Sequence, residues 1–177
     1  KRLDFVKKLT PKAPHVALLW NPDNPANAAL HRELMQKAPQ AQLKLLAVEV
    51  RDAQEFNQGF ALLERQRPDA LLLTGDPMHL VHMGRVIEFA AKHQLPAIYN
   101  FAENVLQGGL MSYGANQPEL YRRAATYVDR ILKGSKPAEL PVQQPSKFDL
   151  LINLKTAKAL RLAIPQTLIL QADQVIE

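Results

Sequence analysis

The sequence predicts an α/β fold: a doubly wound, mostly parallel sheet of five strands flanked by helices, followed by a C-terminal return segment. Two observations predict it. Short apolar runs of strand length alternate five times with longer segments of helical periodicity, which is typical of βαβ units with right-handed crossovers. Several of these runs are also apolar on both faces, as parallel strands are when helices cover both sides of their sheet.

The first predicted elements are a helix, a strand and a second helix. Within residues 2–9 the apolar side chains fall on nearly one helical face, and Pro11 and Pro14 end this helix. The continuous apolar run HVALLW predicts a strand over residues 15–20. A helix over residues 25–37 follows, and it starts with a proline suited to a first turn.

The middle of the chain repeats this pattern twice. QLKLLAVEV, residues 42–50, is the second strand, and Asp52 caps a helix over residues 53–66. ALLLT, residues 70–74, is the third strand. One helix is then predicted over residues 77–93. Its buried side is formed by Leu80, Val81, Val86, Ile87 and Ala90.

The last two strands of the predicted sheet are short. PAIYN, residues 96–100, is the fourth strand, and the helical turn after it ends at the glycine pair 108–109. LMSYG, residues 110–114, is the fifth strand. The long helix that follows is capped by Asn116 and closes at Gly134.

Composition changes after this helix. SKPAELPVQQPSK, residues 135–147, contains three prolines and is typical of an extended linker. Beyond it, FDLLIN predicts a strand over residues 148–153, TAKALRL predicts a helix, and IPQTLILQADQVIE predicts a strand-like tail. We expect this small unit, joined by an extended linker, to dock somewhere other than on the sheet that precedes it.

Polar or aromatic residues stand where four of the predicted strands end. Asn21 follows the first strand, Asp76 the third and Asn100 the fourth, and Tyr113 lies at the end of the fifth. In open parallel sheets, ligands bind outside the carboxyl ends of the strands, where backbone N–H groups and helix N-termini suit anions. If one edge gathers all four strand ends, these residues line one pocket.

These residues have alternative roles. Asp76 precedes a proline and is compatible with a helix cap as well as with a salt bridge to an ammonium group. Asn24 and Asn116 are likewise compatible with helix caps, which stabilise a helix by about 1 kcal/mol. Tyr113 can stack on an apolar ligand and still form a hydrogen bond. Trp20, the only tryptophan, is expected to pack in the core.

Several functional classes are excluded by what the sequence lacks. It contains no cysteine, which excludes disulfides, thiolate catalysis and zinc–sulfur sites. The patterns GxGxxG, GxxxxGK[ST] and GxSxG do not occur. A single carboxylate without a matched partner is little basis for acid–base catalysis. We therefore expect a binding protein without a cofactor rather than an enzyme.

Metal ions, nucleic acids and membrane spans are not expected either. Asp76, His79 and His82 follow one another at intervals of three, but the sequence shows no fourth ligand for a metal. The net charge is +5, and the nine basic side chains of residues 121–177 are spread along a helix and the tail. A nucleic-acid interface needs a clustered basic face. No apolar run reaches the roughly 18 residues of a membrane-spanning helix.

Several long segments resemble a known protein family. SYG, RRAATYVDRILKG, LPVQQPSKFDLLINLKTAKAL and ADQVIE look like the C-terminal half of ABC-transporter substrate-binding proteins with the type I periplasmic-binding-protein fold. VALLWNPDNPAN resembles the entry into the second lobe of that family. The resemblance covers nearly all 177 residues. Proteins of this family have two α/β lobes joined by a hinge, and the ligand is closed between the lobes.

The resemblance implies a function and a domain organisation. The function is that of the solute-binding component of an ABC importer, which binds a small molecule such as an amino acid by hinge closure. The alternative is an effector-sensing domain of a regulator with the same fold. Residues 1–141 are then the second lobe, and residues 142–177 are the crossover and return segment, which docks to the other lobe.

The resemblance also implies partners, a location and site residues. The partners are a small-molecule ligand, the membrane permease and an N-terminal lobe that precedes Lys1. An export leader also precedes Lys1, so we expect the protein in the periplasm or on the cell surface. Without the other lobe, the return segment folds back on its own lobe or is exchanged in a homodimer. By their positions at strand ends, Asn21, Asp76, Asn100 and Tyr113 are this lobe's share of the cleft.

Overall fold

The computed structural model describes residues 1–11 and 15–177, and it has the predicted α/β architecture. The strands are β1 (His15–Trp20), β2 (Lys44–Glu49), β3 (Ala70–Leu73), β4 (Ala97–Tyr99), β5 (Met111–Ala115), β6 (Phe148–Asn153) and β7 (Gln174–Ile176). The helices are α1 (Arg2–Leu9), α2 (Pro25–Lys37), α3 (Glu55–Gln66), α4 (Pro77–Val81), α5 (Met83–Lys92), α6 (Ala102–Leu106), α7 (Gln117–Leu132), α8 (Leu154–Ala159) and α9 (Gln166–Ile169).

The strands form one sheet in the order β2-β1-β3-β4-β5-β6-β7. All neighbours among β1 to β5 are parallel, β6 is antiparallel to β5, and β7 is parallel to β6. The predicted fold class is confirmed, with two more strands than expected. Because β1 lies between β2 and β3, the chain reverses its direction of winding there, and such a switch point is where open α/β sheets bind ligands.

Two layers of apolar side chains cover the two faces of the sheet. Val16 and Leu18 pack with α1 and α2, whereas their neighbours Ala17 and Leu19 pack with α3 and α5. Trp20 is buried on the α1 and α2 side, and its ring stacks on His31 with 4.1 Å between the ring centres. The predicted core packing of Trp20 is therefore confirmed.

Side-chain caps begin the helices where the sequence predicts them. Oδ1 of Asn24 accepts a hydrogen bond from the Ala26 N–H at 3.0 Å, and Oδ1 of Asn116 accepts one from the Glu119 N–H at 2.8 Å. Asp52, predicted as the cap of a helix from residue 53, instead accepts from the N–H groups of Gln54 and Glu55 in the turn that leads into α3, which begins at Glu55. α1 ends at Leu9, before Pro11. Pro14, which was also predicted to end this helix, lies outside the described residues. The caps place each helix start just beyond the strand that precedes it.

The prediction of one helix over residues 77–93 is wrong, because α4 and α5 meet in a turn at His82, with φ −105° and ψ 10°. The His82 N–H donates to the His79 carbonyl oxygen at 3.1 Å, which is the spacing of a tight turn. The buried ring of His79 holds α4 against the end of β2, while α5 packs along the sheet. Leu80 and Val81, predicted to be buried, are therefore 41% and 80% exposed.

The C-terminal segment completes the sheet of this chain. β6 pairs with β5 over five residues, from Met111↔Ile152 to Ala115↔Phe148. Leu150, Ile152 and Leu168 enter the same apolar layer as α1 and α2. TLIL, expected in a strand-like tail, lies mainly in α9, and only Gln174–Ile176 is a strand. This structure thus has the segment folded back on its own sheet, and its exchange in a homodimer stays a prediction.

Candidate functional site

The loops that follow β1, β3 and β4, together with the end of β5, are in contact at the carboxyl edge of the sheet. Asn21 follows β1, Asp76 lies three residues after β3, and Asn100 follows β4 directly. These strands are neighbours in the sheet, and side-chain contacts join each strand end to the next. We call this edge the strand-end rim. From the sequence, its residues could be placed there only by the general rule for open parallel sheets.

Asp76 is the centre of the hydrogen-bond network between β1 and β3. Its Oδ2 accepts from the side-chain amides of Asn24, at 2.9 Å, and Asn27, at 3.1 Å. Its Oδ1 accepts from the backbone N–H groups of Met78, at 3.0 Å, and His79, at 3.4 Å, as the N-cap of α4. The residue is only 3% exposed. Four donors occupy the roughly four lone-pair positions of this carboxylate.

These donors keep the carboxylate ionised. Burial by itself would raise the pKa of Asp76, but the hydrogen bond from Asn24 and the nearby His79 outweigh it and leave the pKa below its ordinary value. The charge also lies at a helix start, where the helix dipole favours an anion. Asp76 is therefore a fixed negative group at the switch point of the sheet.

Close backbone approaches join β3, β4 and β5 around Asn100. A Cβ added to Gly75 would lie 2.6 Å from Nδ2 of Asn100, and one added to Gly114 would lie 1.9 Å from its carbonyl oxygen. The backbone of β5 can approach that of Asn100 this closely only because Gly114 lacks a side chain, whereas the atom nearest Gly75 belongs to the Asn100 side chain. Gly114 is thus the residue that lets the rim close on this side.

Arg2 of α1 fastens the first helix to the rim. Its guanidinium donates to the carbonyl oxygen of Leu73 at 2.8 Å and to Oδ1 of Asn100 at 3.1 Å. Burial lowers the pKa of Arg2, an effect that the carboxylate of Glu33 partly offsets, and the group stays protonated because arginine titrates so high. Arg2 is therefore a partly buried cation at the ends of β3 and β4.

A cleft of about 600 Å³ opens beside Arg2, between α1, α2 and the ends of β4 to β6. Asn100 and Tyr113 line it, together with Phe148 of β6. Tyr113 packs edge-on against Phe5 at 5.1 Å and stacks on Phe148 at 5.7 Å, measured between ring centres. The cleft thus combines a cation with aromatic surface.

The structure brings the four predicted site residues to one edge but not into one cavity. Asn100 and Tyr113 line the cleft, whereas Asn21 and Asp76 lie on the β1 and β3 side of the rim. Sequence reasoning missed Arg2 and Asn27, because each lies inside an amphipathic helix where a polar residue is ordinarily solvated. The one sequence signal for a buried Arg2 was its position beside the apolar face of α1.

The two histidines near Asp76 do not form a metal centre in this arrangement. The ring of His79 is buried, and its Nε2 lies 2.9 Å from the carbonyl oxygen of Val50. The ring of His82 packs edge-on against Phe56. Among residues 1–11 and 15–177, no group of three metal-ligating side chains was found. Over the same residues, no helix has the length and apolar character needed to cross a membrane.

Comparison with known proteins decides the family. The family model described as ABC transporter substrate binding protein matches residues 1–176. This chain belongs to that family. The family is one of substrate-binding proteins, which agrees with the family that the sequence resembles.

Known members and solved structures agree with this assignment. A tyrosine-binding protein of Clostridioides difficile strain R20291 is 25% identical over 160 residues, which are 90% of this chain and 46% of that protein. The structure of an ABC domain from Streptococcus pneumonia in complex with L-Trp has a TM-score of 0.90 at 25% identity, over 98% of this chain and 59% of that one.

A ligand-free, open structure of a substrate-binding protein with adhesive properties from Clostridium difficile shares the fold. Its TM-score is 0.72 at 23% identity, over 98% of this chain and 58% of that one. The chain described here therefore spans about half the length of the curated relative, and under two thirds of the length of these two solved structures.

Proposed function

We propose that this chain is one lobe of the substrate-binding protein of an ABC importer. The lobe contributes the strand-end rim to an interlobe cleft that holds an amino acid. The observation that carries the proposal is the rim itself, where Asn21, Asp76 and Asn100 stand along the ends of β1, β3 and β4. Such an edge is where open α/β sheets bind ligands.

The chemistry of the rim fits an amino acid with an aromatic side chain. A carboxylate is complementary to Arg2, which keeps donor groups beyond the two bonds it makes here. An apolar ring is complementary to Tyr113 and Phe148. The relatives named for tyrosine or solved with L-Trp support this class of ligand.

Asp76 is the proposed partner of the ligand ammonium group. The ammonium would take the place of one of the hydrogen-bond donors that Asp76 already has. Since its oxygens are engaged by four donors, the ammonium would replace the amide of Asn24, which is itself only half-buried. Because an ammonium–carboxylate bond is charge-assisted, this exchange strengthens one contact of the network. The role requires Asn24 to turn away on binding.

Binding closes two lobes about a hinge, with ligand contacts from both lobes stabilising the closed form. The protein acts outside the cytoplasm, in the periplasm or on the cell surface, and delivers its ligand to a membrane permease. Because half of the contacts come from the other lobe, we expect this lobe alone to bind the ligand about 100-fold more weakly or worse.

The test is a thermal-shift and calorimetric titration of the full-length protein with L-tyrosine, L-tryptophan, their decarboxylated amines and their deaminated acids. We expect the two amino acids to raise the melting temperature, because ligand binding to the folded state stabilises it. Asp76→Ala should abolish the part of the shift that depends on the amine, and Tyr113→Leu should weaken binding of the aromatic ligands.

The matched control is His93→Gln, at the C-terminal end of α5, which should leave binding unchanged. An unchanged amine-dependent shift in Asp76→Ala would remove Asp76 from the proposed site. Turnover of any ligand by the wild-type protein, or no shift with any amino acid, would overturn the proposed function.

A further inference from the structure

A cavity lies at the edge of the sheet opposite the strand-end rim. α3 leads from β2 to β3, and α4 and α5 lead from β3 to β4. Because these strands run in the same direction, α3 and α5 both end at the amino edge of the sheet. A cavity of about 450 Å³ opens between the two helix ends, within the roughly 300–1,000 Å³ of small-molecule sites. We call it the distal pocket, and its lining includes Leu63, Glu64, Arg67, Phe89, His93 and Leu95.

The floor of the distal pocket is apolar and well packed. Leu63, Phe89 and Leu95 are 2%, 8% and 6% exposed. Two rings stack on the ring of Phe89, that of Phe60 at 4.5 Å and that of His93 at 4.3 Å between ring centres. Because these rings already cover Phe89, a ligand meets its edge and the side chains of the two leucines. The floor therefore favours an aliphatic group over a further aromatic ring.

Two side chains of opposite charge line the wall of the pocket near the end of α3. Glu64 is 52% exposed, and its Oε1 lies 3.3 Å from Nε2 of His93. This contact engages one carboxylate oxygen and leaves the other for a ligand. Within residues 1–11 and 15–177, Glu64 forms an ion pair only with His93, and Arg67 forms none. The pocket thus presents a carboxylate and a guanidinium that do not pair with each other.

Arg67 occupies a backbone position that favours glycine. It follows the last residue of α3 with φ 45° and ψ 60°, in the left-handed region where a side chain is disfavoured. Its N–H donates to the carbonyl oxygen of Leu63 at 2.8 Å, which closes the helix in this conformation. Its side chain is exposed and lines the pocket. The chain therefore keeps a cation at this wall although the backbone favours a residue without a side chain.

We propose that the distal pocket binds a second amino acid, one with an aliphatic side chain. The ligand carboxylate pairs with Arg67 and its ammonium with Glu64, while its side chain lies on the apolar floor. The ammonium is also favoured by the C-terminal ends of α3 and α5, where the helix dipoles are negative. An acid alone or an amine alone leaves one of the two wall charges without a partner. The pair of charges therefore selects a zwitterion.

This site is separate from the one in the proposed function. The two cavities share no lining residue and open at opposite edges of the sheet. Their ligand classes also differ, because the cleft at the rim presents the rings of Tyr113 and Phe148, whereas the floor of the distal pocket presents leucines. Substitutions in the distal pocket therefore leave the binding of aromatic amino acids at the rim unchanged.

The test is a titration of the full-length protein in the presence of L-tryptophan, followed by the methyl NMR signals of Leu63 and Leu95. The probes are L-leucine, its decarboxylated amine and its deaminated acid. We expect L-leucine to shift both signals until they saturate. The amine and the acid should bind about three- to fivefold more weakly, because each lacks one ion pair with a partly exposed group.

Two substitutions separate the roles of the two wall charges. Arg67→Gln should weaken binding of L-leucine about three- to fivefold and leave binding of the amine unchanged. Glu64→Gln should weaken binding of L-leucine by a similar factor and leave binding of the acid unchanged. Both variants change exposed side chains and keep the fold. The matched control is Arg65→Gln, an exposed cation at the same end of α3 that is not among the lining residues.

Three results would overturn the inference. They are the absence of a saturable shift with L-leucine, equal binding of L-leucine, the amine and the acid, and an equal loss of L-leucine binding in Arg65→Gln. The outcome for the rim is read separately from L-tryptophan. If L-leucine shifts the two signals while L-tryptophan does not bind, the distal pocket is supported and the proposed function fails. If L-tryptophan binds and L-leucine shifts nothing, only the distal pocket is refuted.

Discussion

At the scale of single residues, buried polar groups hold the rim in its geometry. Asp76 joins the loop after β1 to the start of α4 through bonds that need its charge, and Asn27 is a buried amide whose position depends on that charge. A buried donor without an acceptor costs about 1–3 kcal/mol. The rim is therefore sensitive to the protonation of one carboxylate.

Asp76→Asn should lower the free energy of unfolding by about 1–3 kcal/mol at neutral pH, because the one oxygen of the new amide cannot accept from all four donors and its NH2 group faces either the two asparagine amides or the N–H groups of α4. Since the folded-state pKa of Asp76 lies below its ordinary value, its stabilisation is complete above about pH 4 and is lost as the pH falls through the folded-state pKa. Chemical denaturation from pH 3 to pH 7 measures this. Asp52→Asn, which changes an exposed carboxylate in the turn before α3, should change the free energy of unfolding little. A loss of stability in Asp76→Asn that does not depend on pH would contradict the assignment.

The His79 ring predicts a second pH dependence. Burial lowers the pKa of His79, although its bond to Val50 and the charge of Asp76 act in the other direction. Below about pH 6.5 the side chain of His79 is therefore protonated in the unfolded chain but not in the folded protein. The free energy of unfolding then falls by up to about 1.4 kcal/mol per pH unit, until the pH reaches the folded-state pKa.

His79→Gln should flatten the denaturation profile between pH 6.5 and pH 5, at some cost in stability at pH 7. His93→Gln, at the end of α5, should keep the acid-side loss of the wild-type protein. An equally steep profile in His79→Gln would show that another group is responsible.

At the scale of elements, glycine decides how closely strand ends approach each other. Gly114 in β5 faces the backbone of Asn100 after β4, whereas a Cβ on Gly84 in α5 would meet no atom within 4 Å. The same substitution should therefore have opposite effects at the two positions.

Gly114→Ala should destabilise the protein by about 3 kcal/mol or more, since the new methyl group meets a carbonyl oxygen that cannot move without opening the sheet. Gly84→Ala should stabilise it by about 0.5 kcal/mol, because alanine has the higher helix propensity. Urea denaturation of both variants measures the pair. Equal effects of the two substitutions would contradict the described contact between β4 and β5.

At the scale of the whole molecule, β6 and β7 complete the sheet of this chain, whereas residues 117–147 add little to its core. Leu150, Ile152 and Leu168 belong to the apolar layer beneath α1 and α2, whereas residues 117–147 contain no buried residue. Because Ala115 and Phe148 are partners in an antiparallel pair, a short turn can join them.

Replacement of residues 117–146 by Asn-Gly, which forms a tight hairpin turn, should leave a folded protein with an unchanged cooperative unfolding transition. Truncation after residue 147 should instead give a protein without a cooperative transition. It removes the buried apolar side chains of Leu150, Leu151, Ile152, Ala157 and Leu168 and exposes the edge of β5. Circular dichroism and calorimetry distinguish the two variants. A folded truncated protein would contradict the role of β6.

The sequence by itself determined the order of the strands up to β5, the helix caps at Asn24 and Asn116, and the family. Local signals were sufficient there, because apolar periodicity and capping act within a few residues. The rim positions of Asn21, Asp76 and Asn100 also followed, since parallel strands end at one edge.

Only the tertiary structure decided what depends on contacts between distant residues. The turn at His82 follows from the bond between His79 and Val50, and the position of Arg2 from its bonds at the ends of β3 and β4. The joining of β6 to β5 follows from a register in which Ala115 and Phe148 are partners although 32 residues separate them. None of these contacts produces a periodic pattern in the sequence, because each joins residues that lie far apart along the chain.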